Sequence, residues 1–447
     1  IVRAGSQTTS DVRFVPADDL DADWQRVMPR VHGVEYQADH HRGRWLVATN
    51  LDALDGRLLS VDPATGDVEE MIPHTEGRKV HHVVAFRDHV VVTGRVDGLS
   101  SITVLDDRGT RDLAFDDAVY TVGLGRNLEY DTGTLRIGYQ SLATPARVID
   151  VDLDSDDRTV VKEQRVLGDF DASDYVTRRE WATAPDGVQV PMSIVHRADL
   201  DLGMPHPTLL YGYGSYEVTI DPGFSIPRLS LLDRGVVFAI AHVRGGGALG
   251  KRWYEAGKME HKATTFTDFV AAADHLIAND IAAPERLVAR GRSAGGLLMG
   301  AVANLASDRF AGIVAEVPFV DVVNTMLDES LPLTAIEWEE WGNPADPEQY
   351  RWIRAYSPYE NVEAKPYPAM LVTAGLNDPR VGYWEPAKWV ARLRSVATHR
   401  GPLLLRTEMG VGHGGPSGRY DAWHDEAFTL AFILDALGLA DPAVSPG

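Results

Sequence analysis

Gly291-Arg292-Ser293-Ala294-Gly295-Gly296 joins two segments of different character. The apolar run at residues 287–289 precedes it and favours a buried strand, whereas residues 297–302 favour a helix. A serine between small residues at such a junction is typical of a nucleophile elbow, where glycines make room for a tight turn. We therefore expect the Ser293 hydroxyl at the carboxyl edge of a sheet, with the Ala294 amide facing a developing oxyanion.

Composition and charge limit the classes of partner. The chain has 447 residues, 44% of them hydrophobic, so two domains with cores of their own are expected. Its 43 basic and 65 acidic residues give a net charge of −22, which disfavours nucleic acid and anionic membranes as partners. No apolar run has the length of a membrane helix. The chain has no cysteine, which excludes disulfides and thiol catalysis.

Residues 1–172 contain a repeat of short strands. Strand candidates end at or near Asp62, Asp106 and Asp150, which are 44 residues apart, and another strand candidate precedes each, at 44–49, 89–94 and 135–141. Paired strands at this interval are typical of β-propeller blades, with an irregular β-sandwich as the alternative. Three or four blades would leave sheet edges exposed. We therefore expect a partial β-propeller whose first blades belong to a segment preceding Ile1.

Residues 173–447 alternate strands with helices. The predicted strands are apolar runs at 208–211, 236–242, 287–290, 312–317, 369–374 and 403–407. Amphipathic helices are expected between them, for example at 267–278 and 386–396. This alternation predicts a doubly wound, mostly parallel sheet, and together with the serine elbow it indicates an α/β-hydrolase catalytic domain.

A hydrolase of this fold needs an acid and a histidine after the serine, each on a loop at the end of a strand. Asp378 follows the strand predicted at 369–374, and His413 stands among glycines after the last strand. Taken alone, each would more often be a turn aspartate or a structural histidine, but their joint order predicts a triad with Ser293. Tyr213 follows an early strand and is predicted to donate to the oxyanion beside the Ala294 amide.

Several motifs in the second half resemble the prolyl oligopeptidase family of serine peptidases, and within it the oligopeptidase B branch. These motifs are Tyr211-Gly-Tyr-Gly-Ser-Tyr216, Arg244-Gly-Gly-Gly247, Gly291-Arg-Ser-Ala-Gly-Gly296, Glu339-Glu-Trp-Gly-Asn-Pro344, Tyr383-Trp-Glu-Pro-Ala-Lys388 and Gly412-His-Gly-Gly415. The resemblance implies a seven-bladed propeller that admits only short peptides, and hence a missing N-terminal segment. It also implies a cytoplasmic enzyme without metal or cofactor, with Ser293, Asp378 and His413 as its triad.

Acidic residues suggest the substrate. Glu337 and Glu339, two positions apart, would share one face of an extended backbone and could hold an arginine, although solvated surface acids are the alternative. The resemblance implies that these two acids select arginine or lysine before the cleaved bond. It also assigns Asp221 to a second basic residue, but Gly223 stands where the partner acid is expected. Arg394 resembles an arginine linked to active-site assembly, with a surface helix charge as the alternative.

The predicted function is therefore a serine oligopeptidase that cleaves short basic peptides after Arg or Lys through an acyl-enzyme. A prolyl- or acylaminoacyl-cleaving relative is one alternative, which Glu337 and Glu339 disfavour because a proline pocket should be apolar. A catalytically inert binding scaffold is the other, which the predicted triad disfavours.

Overall fold

The computed structural model describes residues 1–399 and 401–440, and the chain divides into two compact units. The first unit consists of Ile1–Leu167 with two later segments, Asp221–Phe224 and Gly247–Trp253. The second unit contains Gly168–Ile220, Ser225–Gly246 and the chain from Tyr254 onward. Each unit has its own sheets and is described by itself.

The first unit is built from antiparallel sheets, one with three strands and three with four. In chain order its strands are β1 (Val2–Gly5), β2 (Ser10–Phe14), β3 (Gln25–Arg26), β4 (Tyr36–His41), β5 (Arg44–Thr49), β6 (Arg57–Val61), β7 (Val68–Ile72), β8 (Arg78–Ala85), β9 (Val90–Val96), β10 (Leu99–Asp106), β11 (Gly109–Asp112), β12 (Tyr120–Leu124), β13 (Thr134–Ser141), β14 (Arg147–Asp152) and β15 (Arg158–Glu163). Each four-stranded sheet takes four consecutive strands, from β4, β8 and β12 onward. The sheets are the predicted propeller blades.

Consecutive blades share buried apolar cores. One core joins the second and third four-stranded sheets through Val91 and Ile102 on one side and Leu135 and Ile137 on the other. Another core joins the first and second sheets in the same way. Because a single small sheet cannot bury both of its faces, each blade is stabilised by its neighbours in sequence.

The prediction that Asp150 is the equivalent of Asp62 in the third repeat is wrong by two residues. Asp62 accepts hydrogen bonds from the amides of the turn that follows it, at 2.8 Å from Ala64 N. The residue that makes the equivalent contact is Asp152, which accepts from Asp154 N at 2.9 Å. Asp150 lies inside β14 and pairs instead with Arg136 at 2.7 Å. The third repeat is two residues longer than the spacing of 44 implies, so the turn aspartate is displaced.

The second unit contains an eight-stranded sheet in the order β16-β17-β19-β18-β20-β21-β23-β25. Its strands, with the two-stranded pair β22 and β24, are β16 (Tyr175–Thr183), β17 (Gln189–Arg197), β18 (His206–Tyr211), β19 (Val237–Ala241), β20 (Ala282–Arg292), β21 (Gly312–Glu316), β22 (Pro366–Tyr367), β23 (Ala369–Gly375), β24 (Thr398–His399) and β25 (Leu403–Glu408). The strand β17 runs antiparallel to its neighbours β16 and β19, and the other pairs in the sheet are parallel.

Helices connect these strands and cover the sheet. They are α1 (Ile226–Leu232), α3 (Ala263–Ala278), α4 (Ala294–Leu305), α5 (Val322–Leu327), α6 (Thr334–Trp341), α7 (Pro347–Tyr356), α8 (Trp384–Val396) and α9 (Arg419–Ala436). The short helix α2 (Lys251–Glu255) spans the point in the sequence where the second unit resumes, at Tyr254. Helix α3 packs with α4, α1 packs with α9, and α5 packs with both α6 and α7. This is the doubly wound α/β-hydrolase fold that the sequence predicts.

The parallel strands bring distant loops to one edge of the sheet. The carboxyl ends of β18, β20, β23 and β25 all lie at this edge. In an open α/β sheet this edge carries the ligand site. No helix within the described parts of the chain is both long and apolar enough to cross a membrane.

Candidate active site

Ser293 lies at the tight turn between β20 and α4. Its backbone has φ +59° and ψ −117°, an unfavourable conformation for a residue with a side chain, which costs about 1–3 kcal/mol. A Cβ atom on Gly291 would lie 2.3 Å from the carbonyl oxygen of Gly295, so a side chain there is excluded. The Ser293 amide donates to the Glu316 carbonyl at 2.8 Å, which holds the turn against β21.

The structure brings Ser293, His413 and Asp378 into one hydrogen-bonded chain. His413 Nε2 lies 3.0 Å from Ser293 Oγ, and His413 Nδ1 lies 2.7 Å from Asp378 Oδ2. Since the ionised carboxylate only accepts, Nδ1 carries the proton and the Nε2 lone pair faces the serine hydroxyl. This is the arrangement in which a histidine can take the serine proton.

Asp378 is kept ionised by its surroundings. Its side chain is 1% exposed, whereas that of His413 is 15% exposed. Burial raises the pKa of Asp378, but hydrogen bonds from His413 and from the amides of Val381 and Arg380 outweigh it, so its pKa lies below the ordinary value. The carboxylate is thus shielded from water while the imidazole stays accessible.

The Asp378 and His413 loops are tied together through backbone contacts. Asn377 N donates to the Val411 carbonyl at 3.1 Å. A Cβ atom on Gly375 would lie 2.9 Å from the carbonyl oxygens of both Val411 and Gly412, so glycine is required for this approach. Arg292, for which the sequence predicts no role, donates from Nη2 to the His413 carbonyl. Its place beside Ser293 was the available signal.

An ion-pair network connects three elements around Arg290, three residues before Ser293. Arg290, near the end of β20, binds Glu316 on β21 and Glu426 on α9, each through two hydrogen bonds of 2.6–3.0 Å. This network is not predictable from local sequence patterns, because Glu316 and Glu426 lie 26 and 136 residues from Arg290. It fixes the relative positions of β20, β21 and α9 beneath Ser293.

The two predicted oxyanion donors lie next to the elbow. Ala294 is the first residue of α4, so its amide has no acceptor within the helix. Tyr213 lies on the loop after β18, and a Cβ atom on Gly295 would be 3.3 Å from its ring atom Cδ2. Burial, with the charges of Glu340 and Glu337 and the neighbouring Tyr211, raises the pKa of Tyr213 to about 12. Its hydroxyl therefore stays protonated and able to donate at neutral pH.

The acidic segment is helical, so the condition under which Glu337 and Glu339 would share one face, an extended backbone, is not met. Glu337 and Glu339 belong to α6, where residues two apart point about 200° away from each other. Glu337 Oε2 accepts from Tyr216 Oη and from Trp341 Nε1, both at 2.8 Å. Glu337 thus contacts the loop that carries Tyr213, whereas Glu339 lies on another side of the same helix.

Asp221 and Arg394 lie in other surroundings. Asp221 belongs to the first unit, where both of its carboxylate oxygens accept from Arg95, at 2.8 and 2.9 Å. A basic ligand would have to compete with this pair. Arg394 is exposed on the last turn of α8, and its Nη2 donates to the Leu403 carbonyl at 3.3 Å.

The described parts of the chain contain no set of side chains suited to bind a metal ion. Among residues 1–399 and 401–440, no group of three or more His, Asp or Glu side chains is arranged to hold a metal ion. What the site contains is a hydroxyl, an imidazole and carboxylates, the groups from which nucleophilic catalysis is built.

The sheet carries serine, histidine and aspartate at its carboxyl edge, and the same chain contains propeller blades. This combination defines the class as an α/β-hydrolase with a propeller domain. The model of the prolyl oligopeptidase family matches residues 222–440, and that of its N-terminal β-propeller domain matches residues 1–164. The chain belongs to the prolyl oligopeptidase family.

Two curated relatives match almost the whole chain. Protease 2 of Moraxella lacunata is 45% identical over 98% of this chain and 64% of its own length. Dipeptidyl aminopeptidase BI of Pseudoxanthomonas mexicana is 44% identical over 97% of this chain and 61% of its own. The chain thus spans less than two thirds of the length of these relatives.

Solved structures agree with the fold. Oligopeptidase B from Trypanosoma brucei, with covalently bound antipain, superposes with a TM-score of 0.92 at 40% identity, over 98% of this chain and 64% of that one. Oligopeptidase B from Leishmania major gives a TM-score of 0.91 at 41% identity, over 98% and 63%. Both units of this chain are therefore similar to oligopeptidase B structures.

Proposed function

We propose that this chain belongs to a serine peptidase that cleaves short peptides after Arg or Lys. The observation that carries the proposal is the hydrogen-bonded chain from Ser293 Oγ through His413 to the shielded Asp378. Membership of a peptidase family and similarity to oligopeptidase B support the same activity. The cytoplasmic location that the resemblance implies stays a prediction.

In the proposed first half-reaction, Ser293 Oγ attacks the carbonyl carbon before the cleaved bond while His413 Nε2 takes the hydroxyl proton. Asp378 stabilises the resulting imidazolium through its hydrogen bond to Nδ1. The Tyr213 hydroxyl and the Ala294 amide donate to the oxyanion, where charge develops in the transition state. Collapse breaks the carbon–nitrogen bond, and the amine leaves with the proton from Nε2.

The second half-reaction repeats these steps with water. His413 Nε2 takes a proton from the water as its oxygen bonds to the acyl carbon, and the same donors hold the second oxyanion. Collapse breaks the ester bond to Ser293 Oγ, which regains the proton from Nε2. The products are two shorter peptides and the original enzyme.

Glu337 is the residue that we propose for recognition of a basic side chain. It is half-buried beside the Tyr213 loop, and its Oε2 already accepts two hydrogen bonds, which orient the carboxylate. An oriented carboxylate binds a guanidinium more strongly than a neutral acceptor does. Glu339 is a second candidate, whose position on the helix gives it a weaker role. We leave Asp221 and Arg394 out of the proposed pocket, because their observed partners are Arg95 and the Leu403 carbonyl.

Chromogenic peptide anilides ending in arginine, lysine, proline or alanine test the proposal. The complete polypeptide that carries these residues should cleave the arginine and lysine substrates with the highest kcat/KM. Ser293→Ala should abolish all turnover. Faster cleavage after proline would favour a prolyl-type peptidase, and turnover that survives Ser293→Ala would contradict the catalytic assignment. Absence of any turnover would favour the inert scaffold.

The similarity to a dipeptidyl aminopeptidase calls for one further arm. Peptides with free and with acetylated amino termini, otherwise identical, distinguish removal of amino-terminal dipeptides from cleavage of internal bonds. We expect both forms to be cleaved after the basic residue. Cleavage only of the free form, two residues from its amino terminus, would favour the dipeptidyl activity.

A further inference from the structure

A buried ion pair connects the Tyr213 loop with helix α6. Lys262, just before α3, and Glu340, on α6, are each 1% exposed, and Lys262 Nζ lies 3.8 Å from Glu340 Oε1. Neither residue received a role from the sequence. Burial lowers the pKa of Lys262 to about 8 and raises that of Glu340, so each charge depends on the other and on its hydrogen bonds.

Lys262 holds the peptide unit between Gly214 and Ser215, one residue after Tyr213. Its Nζ donates to the Gly214 carbonyl at 2.6 Å and to Ser215 Oγ at 2.8 Å. Gly214 has φ +77°, and a Cβ atom there would lie 2.4 Å from Thr265 Cγ2, so the loop is tightly enclosed at this point. The direction of the Gly214 carbonyl sets the path of the chain immediately after Gly214, the neighbour of Tyr213, and the ammonium group fixes that direction.

Glu340 holds the other end of the same loop. Its Oε1 accepts from Tyr216 N at 3.1 Å, and its Oε2 accepts from Tyr254 Oη at 2.7 Å. Tyr216 also donates from its hydroxyl to Glu337, one turn earlier on α6. The loop is therefore attached to α6 at Tyr216 and to Lys262 at Gly214.

We propose that Lys262 and Glu340 are positioning residues. They hold the Tyr213 hydroxyl at the oxyanion site and keep its loop attached to α6, the helix that carries Glu337. The inference rests on the proposed peptidase activity and names the residues that orient its oxyanion donor. Since the pair touches neither substrate nor reacting atoms, it acts only through the loop. Its loss should lower kcat, with a small effect on KM.

The test replaces both charges together, because an unpaired buried charge can prevent folding. In Lys262→Met/Glu340→Gln the glutamine can still accept from Tyr216 N, whereas the Gly214 carbonyl loses its donor. We expect kcat for an arginine anilide to fall about 30-fold while KM changes less than threefold, in line with partial loss of one oxyanion donor. The melting temperature and the fraction of serine that reacts with a fluorophosphonate probe report on folding.

A double-mutant cycle with Tyr213→Phe separates positioning from general damage. If the pair acts through the Tyr213 hydroxyl, Lys262→Met/Glu340→Gln should lower kcat less than threefold once that hydroxyl is absent. Lys365→Met is the matched control, since Lys365 is a partly buried lysine that pairs with Glu363, ahead of β22. It should leave kcat unchanged.

Three results would contradict the inference in distinguishable ways. A kcat within threefold of the wild type in a folded Lys262→Met/Glu340→Gln protein would overturn it, and so would losses that multiply in the Tyr213→Phe background. Either result leaves the proposed function intact. Wild-type protein whose turnover does not depend on Ser293 would overturn the proposed function and the inference together.

Discussion

The triad and helix α6 are positioned by different kinds of contact. Ser293 and Asp378 are fixed by backbone hydrogen bonds, from Ser293 N to the Glu316 carbonyl and from two amides to the Asp378 carboxylate. Glu337 and Glu340 are held by the side chains of Tyr216, Tyr254 and Lys262, together with the amide of Tyr216. Both regions lie in the second unit.

Because of this difference, the geometry of the nucleophile should be harder to alter by substitution than the specificity of the pocket near α6. The backbone hydrogen bonds at the elbow do not involve α6, so the nucleophile should keep its geometry when side chains of α6 are replaced. The contacts of α6 disappear with single side chains, so the pocket can acquire another specificity without loss of the triad. Substitutions in the two regions should therefore affect different kinetic parameters.

The largest expected effect is at the elbow. Ser293→Ala should lower kcat at least about 10⁴-fold, because the acyl-enzyme can no longer form. Steady-state hydrolysis of an arginine anilide measures this. Ser395→Ala, on the exposed side of α8, is the matched control and should be silent. A residual rate above one hundredth of the wild type would show that another group is the nucleophile.

Loss of the tyrosine donor should have the next largest effect. Tyr213→Phe should lower kcat about 10²–10³-fold with little change in KM, because the hydroxyl contacts the oxyanion only as charge develops. Tyr211→Phe makes the same chemical change two residues earlier, at the end of β18, and should leave kcat near the wild-type value. Equal effects of the two substitutions would remove Tyr213 from the oxyanion site.

A buried carboxyl group on α8 should make stability depend on pH. Glu385, on α8 after the Asp378 loop, accepts from the amides of Val320 and Asp321 at 2.9 Å each, ahead of α5. Burial raises its pKa to about 7 from an ordinary value of 4.5. Between these pH values the folded state keeps a proton that the unfolded state releases, so stability is lost as the pH rises from 4.5 to 7.

The amplitude of this loss is about 3 kcal/mol, from about 1.4 kcal/mol for each unit of pKa. Glu385→Gln removes the titrating group, so the wild type should lose about 3 kcal/mol relative to the variant across this window. Denaturant unfolding at a series of pH values measures both free energies. Parallel curves for the two proteins would show that the Glu385 pKa is unchanged by folding.

The smallest expected effect concerns specificity. Glu337→Gln should lower kcat/KM for an arginine peptide about tenfold to thirtyfold, which corresponds to loss of one charged hydrogen bond. The same peptide with citrulline, a neutral isostere of arginine, should change less than threefold. Glu348→Gln, exposed on α7, serves as the control. Equal losses for both peptides would place Glu337 outside the specificity pocket.

The features that the sequence predicts best are those with local causes. Strand β5 has its predicted bounds, Arg44–Thr49, because its apolar run ends at turn residues on both sides. The elbow is recognisable because its glycines must be glycines, as the 2.3 Å approach at Gly291 shows. The order of serine, aspartate and histidine along the chain follows from the topology of the parallel sheet.

What the sequence did not predict depends on distant partners. The segment of α6 alternates acidic and aromatic residues, which suits a strand, and its helical form is stabilised by Tyr216, Tyr254 and Lys262, 78 to 124 residues away. Asp221 pairs with Arg95, 126 residues earlier, with no local signal. Such pairings become visible only after the chain has folded.

The most direct test of the central claim is to map the bonds that the enzyme cleaves. A defined mixture of short peptides covering all residues before the cleaved bond is incubated with the complete polypeptide and with Ser293→Ala, and the products are identified by mass spectrometry. We predict cleavage after arginine and lysine, with no products from Ser293→Ala. Cleavage mainly after proline or other neutral residues, or products that persist without Ser293, would contradict the account.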